Sequence, residues 1–149
     1  MNYCYCSLLT SDNYLKGVLG LAYSLKIVDS KYPFLVIITD NISEESIDIL
    51  KENNISFIIK PLLLFQSHSE YVTTINKFYL YTLINFEKII FIDADAFVLE
   101  NIDKYFNYNM SVGYRYWNGH QFIISGGFLV LKPSLEKFQK AKKFIEDHP

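Results

Sequence analysis

The sequence predicts an α/β domain with a mostly parallel sheet flanked by helices and a small antiparallel hairpin near its end. Short apolar runs rich in β-branched and aromatic residues alternate with stretches of helical period, which is typical of βαβ units. Asn118-Gly119 lies between two further apolar runs and predicts the hairpin, because this dipeptide favours a type I′ turn. The 149 residues suit one domain of ordinary size.

The start of the chain predicts one strand followed by one long helix. The strand covers residues 3–10 and ends in Thr-Ser-Asp-Asn, a helix start signal in which Ser11 or Asp12 is the candidate N-cap. Apolar side chains then recur at helical spacing over residues 14–28. Glycine costs a helix about 1 kcal/mol relative to alanine, so Gly17 and Gly20 indicate close packing of this helix on the sheet.

The middle of the chain continues the alternation. The predicted elements are a strand over residues 34–39, a helix from residue 43 to Asn53-Asn54, and a strand over residues 55–59. Residues 62–72 have no clear period and predict a loop, a candidate flap over a ligand site in which His68 alone has no assigned role. Residues 73–84 predict a helix whose Lys77 lies off the apolar stripe, where it is either exposed to solvent or reaches a phosphate.

The last third contains the acidic strand end and the hairpin. The predicted elements are a strand over residues 89–92, a turn or short helix over 101–106, hairpin strands over 110–117 and 121–124, a strand over 128–131 and a final helix from Pro133. Ser125-Gly126-Gly127 is expected to interrupt the strand run. Glycine weakens a strand, unless another backbone or a ligand must come close.

Asp93 and Asp95 directly follow the buried strand over residues 89–92. Residues two apart on an extended chain project to the same side, so both acids are expected to face one ligand. Their carboxylates repel each other unless a cation lies near them, and a hard divalent ion that also accepts phosphate oxygens meets that need. The alternative is a solvated acidic turn, and so short a motif leaves both open. Thr10, Ser11 and Asp12 end another strand, and in open α/β sheets such ends share one ligand crevice.

Two other acidic motifs compete for Asp93 and Asp95. An EF-hand loop beginning at Asp93 is excluded, because Phe97 and Val98 occupy the positions that need Asp or Asn and then Gly. A phosphatase with an aspartyl nucleophile also begins Asp-x-Asp after an apolar strand. Here Val98 falls one position later than the usual small residue, and most of the chain precedes the motif. The phosphatase therefore remains only a remote alternative.

Composition excludes several classes of partner and location. The formal net charge of -2 gives no reason to expect a nucleic acid partner. No apolar run approaches the roughly 20 residues that span a bilayer, and residues 1–7 lack the features of a signal peptide. Cys4 and Cys6, the two cysteines, are interpreted as reduced core residues rather than as a metal clip. We therefore expect a cytoplasmic protein without a membrane span.

Three ordered stretches resemble the glycogenin-like branch of glycosyltransferase family 8. They are Leu8-Leu-Thr-Ser-Asp-Asn-Tyr-Leu-Lys-Gly17 with Ser24-Leu-Lys26, then Asn76-Lys77-Phe78 with Phe91-Ile-Asp-Ala-Asp-Ala96 and Val98-Leu-Glu-Asn-Ile-Asp103, and finally Ser125-Gly-Gly-Phe-Leu-Val-Leu-Lys-Pro-Ser134. Their order and spacing match that family across nearly the whole chain, which is far more specific than one Asp-x-Asp. The resemblance implies a GT-A-type, Rossmann-like fold in which residues 1–149 form one nucleotide-sugar-binding domain, truncated at its C-terminus relative to the family.

The resemblance also implies a function. It is the retaining, metal-dependent transfer of a hexose from a UDP-sugar, of the UDP-glucose or UDP-galactose class, to an unknown sugar or protein acceptor. The implied cofactor is Mn²⁺ or Mg²⁺. A non-catalytic nucleotide-sugar-binding module is the alternative, and a homo-oligomer or a second chain that completes the site is a further expectation.

Site residues are implied by position in the matching stretches, and no catalytic residue is assigned. Uridine would contact Leu8, Thr10, Ser11 and Tyr14; Lys77 would contact the donor; Asp93 and Asp95 would bind the metal; the backbone of Ala94 would meet the ribose; and Ser125, Gly126 and Gly127 would line the donor sugar. Ser11 replaces a more usual Asn, and Ser125-Gly126 replaces Asn-Ser or Asn-Ala, so the choice of sugar stays open. Because the family's later Asp-Gln and His-x-x-Gly-x-x-Lys-Pro segments are not in these 149 residues, we expect weak nucleotide binding and poor transfer from this chain alone.

Overall fold

The computed structural model describes residues 2–64, 73–117 and 121–147. Within them, six strands form one sheet in the order β3-β2-β1-β4-β6-β5. The strands are β1 (Tyr3–Leu9), β2 (Phe34–Thr39), β3 (Ser56–Lys60), β4 (Lys88–Ile92), β5 (Ser111–Trp117) and β6 (Gln121–Leu131). The helices are α1 (Leu15–Ile27), α2 (Glu44–Glu52) and α3 (Leu135–Asp147), with 3-10 segments η1 (Asp12–Tyr14), η2 (Thr74–Thr82) and η3 (Asp103–Asn107).

The strand pairing confirms the predicted fold class. β1 pairs in parallel with β2 and β4, and β2 pairs in parallel with β3. β6 runs antiparallel to both β4 and β5. The chain adds β2 and β3 on one side of β1 and then β4 on its other side, so the strand order reverses at β1. Ligands of such sheets bind in the crevice at this reversal, which the carboxyl ends of β1 and β4 flank.

The two central strands are buried, as their apolar runs predict. Ile89, Ile90 and Phe91 of β4 are fully buried, and so are Cys4 and Cys6 of β1. Both cysteines are free thiols, and burial raises the pKa of Cys4 to about 12. These thiols therefore stay neutral and act as core side chains.

The hairpin is confirmed, but the predicted interruption of its second strand is wrong. β6 runs continuously through Ser125, Gly126 and Gly127. The pairing with β5 shifts at this place: Val112 pairs with Leu129, whereas Gly113 pairs with Ser125. The additional residues of β6 form a bulge, which glycine accommodates without ending the strand. The predicted type I′ turn at Asn118-Gly119 lies outside the described residues.

The segment predicted as a helix over residues 73–84 is a 3-10 helix, η2. The buried Asn76 ties its first turn to the preceding chain: its amide nitrogen donates to Leu63 O and Thr73 O, both at 2.8 Å, and its amide oxygen accepts from Leu63 N at 2.9 Å. Side-chain bonds of this kind compete with regular α-helical bonding. Of the predicted loop over residues 62–72, residues 65–72 with His68 lie outside the described part of the chain.

Over residues 2–64, 73–117 and 121–147, none of the helices has both the length and the apolar character needed to cross a membrane.

Candidate functional site

A cleft of about 350 Å³ opens at the carboxyl ends of β1 and β4. Its lining consists of Leu8, Thr10, Tyr14, Thr73, Thr74, Lys77, Asp93, Ala94 and Asp95. Seven of these nine were predicted as site residues from the sequence. Thr10, which follows β1, and Asp93 and Asp95, which follow β4, therefore meet in one crevice, as the sheet topology predicts.

The Asp-x-Asp segment is a turn rather than an extended continuation of β4. The Ala96 amide donates to Asp93 O at 3.1 Å, and the chain turns at Ala94 and Asp95. The expectation that the two acids share a side because they alternate along an extended strand is therefore wrong in its geometry. Both nevertheless line the cleft, with Asp95 exposed and Asp93 half-buried, because the turn bends around the buried Ala94.

Helix α1 packs closely against this turn because Gly17 has no side chain. A Cβ atom at Gly17 would overlap the carbonyl oxygen of Ala94, so only glycine allows the helix to lie this close. A Cβ atom at Gly20 would meet the ring of Phe97 instead. The predicted close packing is thus present, but its partner is the segment after β4 rather than the sheet itself.

Lys77 forms an ion pair with Asp93 instead of pointing into solvent. Its Nζ lies 2.7 Å from Asp93 Oδ1 and donates a hydrogen bond to Gly126 O at 3.0 Å. The ammonium group also lies 5.0 Å from the centre of the Phe91 ring, within cation–π range. The solvent-exposed alternative for Lys77 is excluded, since its side chain is only 20% exposed.

The glycine bulge of β6 runs beside the same ion pair. The Asp93 amide donates to Gly127 O at 2.9 Å, and a Cβ atom at Gly127 would lie 3.3 Å from Asp93 Oδ2. Ser125 Oγ accepts from the Gly127 amide at 3.3 Å. The stretch predicted to line the donor sugar, Ser125 to Gly127, therefore borders Asp93 and Lys77. It does not itself line the cleft of about 350 Å³.

The loop between β1 and α1 is anchored by the start of α2. Ser11 Oγ accepts from the Asn13 amide at 3.3 Å, which makes Ser11 the cap of η1. Asp12 accepts from the amide and hydroxyl groups of Ser43 at 3.2 and 3.0 Å, and Asn41 donates to Thr10 O at 3.0 Å. Hydrogen bonds from Ser46 and Ser43 lower the pKa of Asp12. The loop that presents Thr10 to the cleft is thus fixed by a neighbouring helix N-terminus.

Some of these residues were missed by the sequence analysis. Thr74 lies three residues before Lys77, a spacing that places side chains on one face of a helix and would have indicated it. Thr73 precedes η2, and no such spacing indicates it. Asn41 and Ser43 belong to the loop after β2, and their contacts with the β1–α1 loop span about 31 residues of sequence. No pattern of neighbouring residues predicts a contact over such a sequence separation.

The donor set of the cleft suits a hard divalent ion. Asp93 and Asp95 offer carboxylate oxygens, the ligands that Mg²⁺ and Mn²⁺ prefer. Among the described residues there is no cluster of three or more His, Cys, Asp and Glu side chains that could hold a metal. An ion held by Asp93 and Asp95 would need further ligands, for which oxygens of a bound phosphate group or water are suitable.

Sequence comparison finds plant enzymes that are similar to this chain. The chain is 33% identical over 132 residues to UDP-glucuronate:xylan alpha-glucuronosyltransferase 2 of Arabidopsis thaliana, a match that covers 84% of this chain and 21% of that protein. It is 32% identical over 112 residues to galactinol synthase 1 of the same plant, covering 71% of this chain and 32% of the relative. The chain thus spans between a fifth and a third of the length of these relatives.

Solved structures share the fold at low sequence identity. A galactosyltransferase LgtC in complex with donor and acceptor sugar analogues superposes with a TM-score of 0.68 at 17% identity, covering 97% of this chain and 65% of that one. The apo form of the glycosyltransferase GlyE of Streptococcus pneumoniae gives 0.67 at 17% identity, over 99% of this chain and 39% of that one. Residues 5–118 match the sequence model of glycosyl transferase family 8, and the chain belongs to that family.

Proposed function

We propose that residues 1–149 form one nucleotide-sugar-binding domain of a UDP-sugar-dependent glycosyltransferase. The observation that carries this proposal is the cleft in which Asp93 and Asp95 face the loop of Thr10 and Tyr14. Its volume of about 350 Å³ lies within the range of small-molecule sites. The xylan glucuronosyltransferase bears UDP-glucuronate in its name, and LgtC was solved with a donor sugar analogue, which supports a nucleotide sugar as ligand.

The roles proposed for the site residues combine the family resemblance with the position of each residue at or beside the cleft. Tyr14 is 51% exposed at the cleft and is the aromatic side chain proposed to meet the uracil base, with Leu8 and Thr10 in the same lining. Ser11 caps η1 and does not line the cleft, but it follows Thr10 directly and is kept as a proposed uridine contact. Ala94 lies in the cleft lining, and its backbone is proposed to meet the ribose. The Ser125-Gly126-Gly127 bulge lies beside Asp93 and is proposed to border the donor sugar. Asp93 and Asp95 would hold Mn²⁺ or Mg²⁺, and Lys77, which lines the same cleft, would lie near the diphosphate.

The reaction proposed is a retaining transfer of a sugar of the UDP-glucose or UDP-galactose class. When bound, the divalent ion acts as a Lewis acid that compensates the charge growing on the departing UDP. Asp93 and Asp95 would orient that ion, and Lys77 adds a positive charge to the same cleft. No side chain is assigned as nucleophile or base, and the acceptor is left unassigned.

The test is thermal unfolding of the chain with UDP, in Mn²⁺ and in EDTA. A ligand that binds only the folded state adds RT ln(1 + [L]/Kd), or about 2.7 kcal/mol at a hundredfold excess over Kd. We expect UDP to raise the melting temperature with Mn²⁺ and not in EDTA, because the paired carboxylates repel a diphosphate unless an ion intervenes. The exposed Asp95 allows a clean control, in which Asp95→Asn loses the shift but keeps the unliganded melting temperature. Equal shifts in EDTA would contradict the metal role.

A non-catalytic nucleotide-sugar-binding module is the second candidate. It is favoured by the Lys77–Asp93 ion pair and by the lack of a third acidic, histidine or cysteine ligand within the described part of the chain. UDP release from UDP-glucose, UDP-galactose and UDP-glucuronate, measured on this chain and on a longer polypeptide, separates the two. Slow turnover by this chain and restored turnover by the longer form are expected. Rapid turnover by the short chain, abolished by Asp95→Asn, would show that its site is complete by itself.

A further inference from the structure

Lys77 has a defined position in the cleft rather than a freely moving ammonium group. Three contacts fix it: Asp93 Oδ1 at 2.7 Å, Gly126 O at 3.0 Å and the Phe91 ring at 5.0 Å. Asp95, by contrast, is exposed and has no ion pair with any residue in the described ranges. One of the two carboxylates proposed to bind the metal is therefore already neutralised by the protein's own cation.

A divalent ion and the Lys77 ammonium group compete for Asp93 Oδ1. Both are cations that bind Asp93, and two cations within a few ångströms of each other repel. An ion that binds Asp93 through Oδ1, together with Asp95, displaces Lys77 from that oxygen. Because Lys77 lines the same cleft as both acids, the displaced ammonium group is within reach of phosphate oxygens bound there.

We infer that Lys77 makes metal binding and nucleotide binding depend on each other. It is the counter-ion of Asp93 while the site is empty, and it moves to the diphosphate when the metal takes Asp93. The inference rests on the proposed function and assigns Lys77 two alternating partners, Asp93 in the empty site and the diphosphate in the loaded one. Such coupling is reciprocal: UDP raises the affinity for Mn²⁺ by the same factor by which Mn²⁺ raises the affinity for UDP.

The test is a binding cycle on the whole chain with the wild type and Lys77→Met, which removes the charge and keeps an unbranched side chain. Electron paramagnetic resonance of free Mn²⁺ measures the metal affinity with and without UDP. Removing the competing cation is expected to tighten Mn²⁺ binding without nucleotide about two- to fivefold, the range that corresponds to a partly exposed ion pair. The affinity for UDP in Mn²⁺ falls, so the coupling factor between the ligands shrinks. A lysine with a merely structural role would not improve metal binding on removal.

Two further variants separate the possible results. Lys77→Gln is a second neutral replacement in case methionine disturbs the packing on Phe91, and Lys77→Arg keeps the charge and should leave nucleotide-free Mn²⁺ affinity near that of the wild type. If both neutral variants bind Mn²⁺ no more tightly than the wild type, the inference is overturned while the proposed function stands on the wild-type response to UDP and Mn²⁺. If the wild type shows no Mn²⁺ binding that Asp95→Asn abolishes, both are overturned.

Discussion

Replacing Gly17 by alanine tests whether α1 positions the acidic turn of the cleft. The new Cβ atom overlaps the carbonyl oxygen of Ala94 and lies 3.0 Å from its carbonyl carbon. Both are backbone atoms, so the helix or the turn must move. Overpacking of this kind costs about 1–3 kcal/mol, and the better helix propensity of alanine returns about 1 kcal/mol. Because the atoms met are backbone atoms, the upper part of the overpacking range applies, about 2–3 kcal/mol. We therefore expect Gly17→Ala to lower the free energy of unfolding by about 1–2 kcal/mol, or roughly 2–8 °C in melting temperature.

Gly20→Ala is the matched control in the same helix. This substitution gains the same helix propensity, but its Cβ atom meets the ring of Phe97. That side chain is 61% exposed and can adopt another rotamer. We expect its stability to lie between that of the wild type and about 1 kcal/mol above it. Urea denaturation measures both variants. Equal stability of the two would refute the reasoning. Gly17→Ala should also weaken the UDP–Mn²⁺ response more than Gly20→Ala does, since Ala94 joins the two acids.

Two further predictions concern polar contacts remote from the metal. Tyr5→Phe removes the 2.7 Å hydrogen bond from the Tyr5 hydroxyl to Asp103, and urea denaturation should show a loss of about 1–3 kcal/mol; a loss near zero would count against this bond. Hydrogen bonds from Ser46 and Ser43 lower the pKa of Asp12 in the folded state. Its ionised form therefore stabilises the fold at pH values above the unfolded pKa of about 3.9. This contribution disappears as the pH falls through the lower pKa of the folded state. The stability deficit of Asp12→Asn should therefore be present at neutral pH and vanish in acid, and a deficit independent of pH would contradict the assignment.

Much of the cleft is predictable because its residues follow strands that the sequence reveals directly. Thr10 comes just after β1, and Asp93 and Asp95 come just after β4. The carboxyl ends of parallel strands lie at one edge of a sheet, so these positions converge whatever the details of the loops. Lys77 was also indicated, but with two possible environments, because helical spacing tells which face a residue occupies and not what faces it.

Local sequence determined the strands, most helices and their caps, because period, β-branched content and capping residues act over a few neighbouring positions. The tertiary structure alone decided the form of the acidic turn, the continuity of β6 and the partner of Lys77. From the local sequence, Gly126 and Gly127 predict an interruption of the strand. In the folded chain they lie in a bulge of β6, next to the pairing with β5 and the hydrogen bond from the Asp93 amide. The ion pair between Lys77 and Asp93 joins residues 16 positions apart on different elements. It exists because the order of strands in the sheet brings η2, β4 and β6 to one place, and strand order depends on packing over the whole chain.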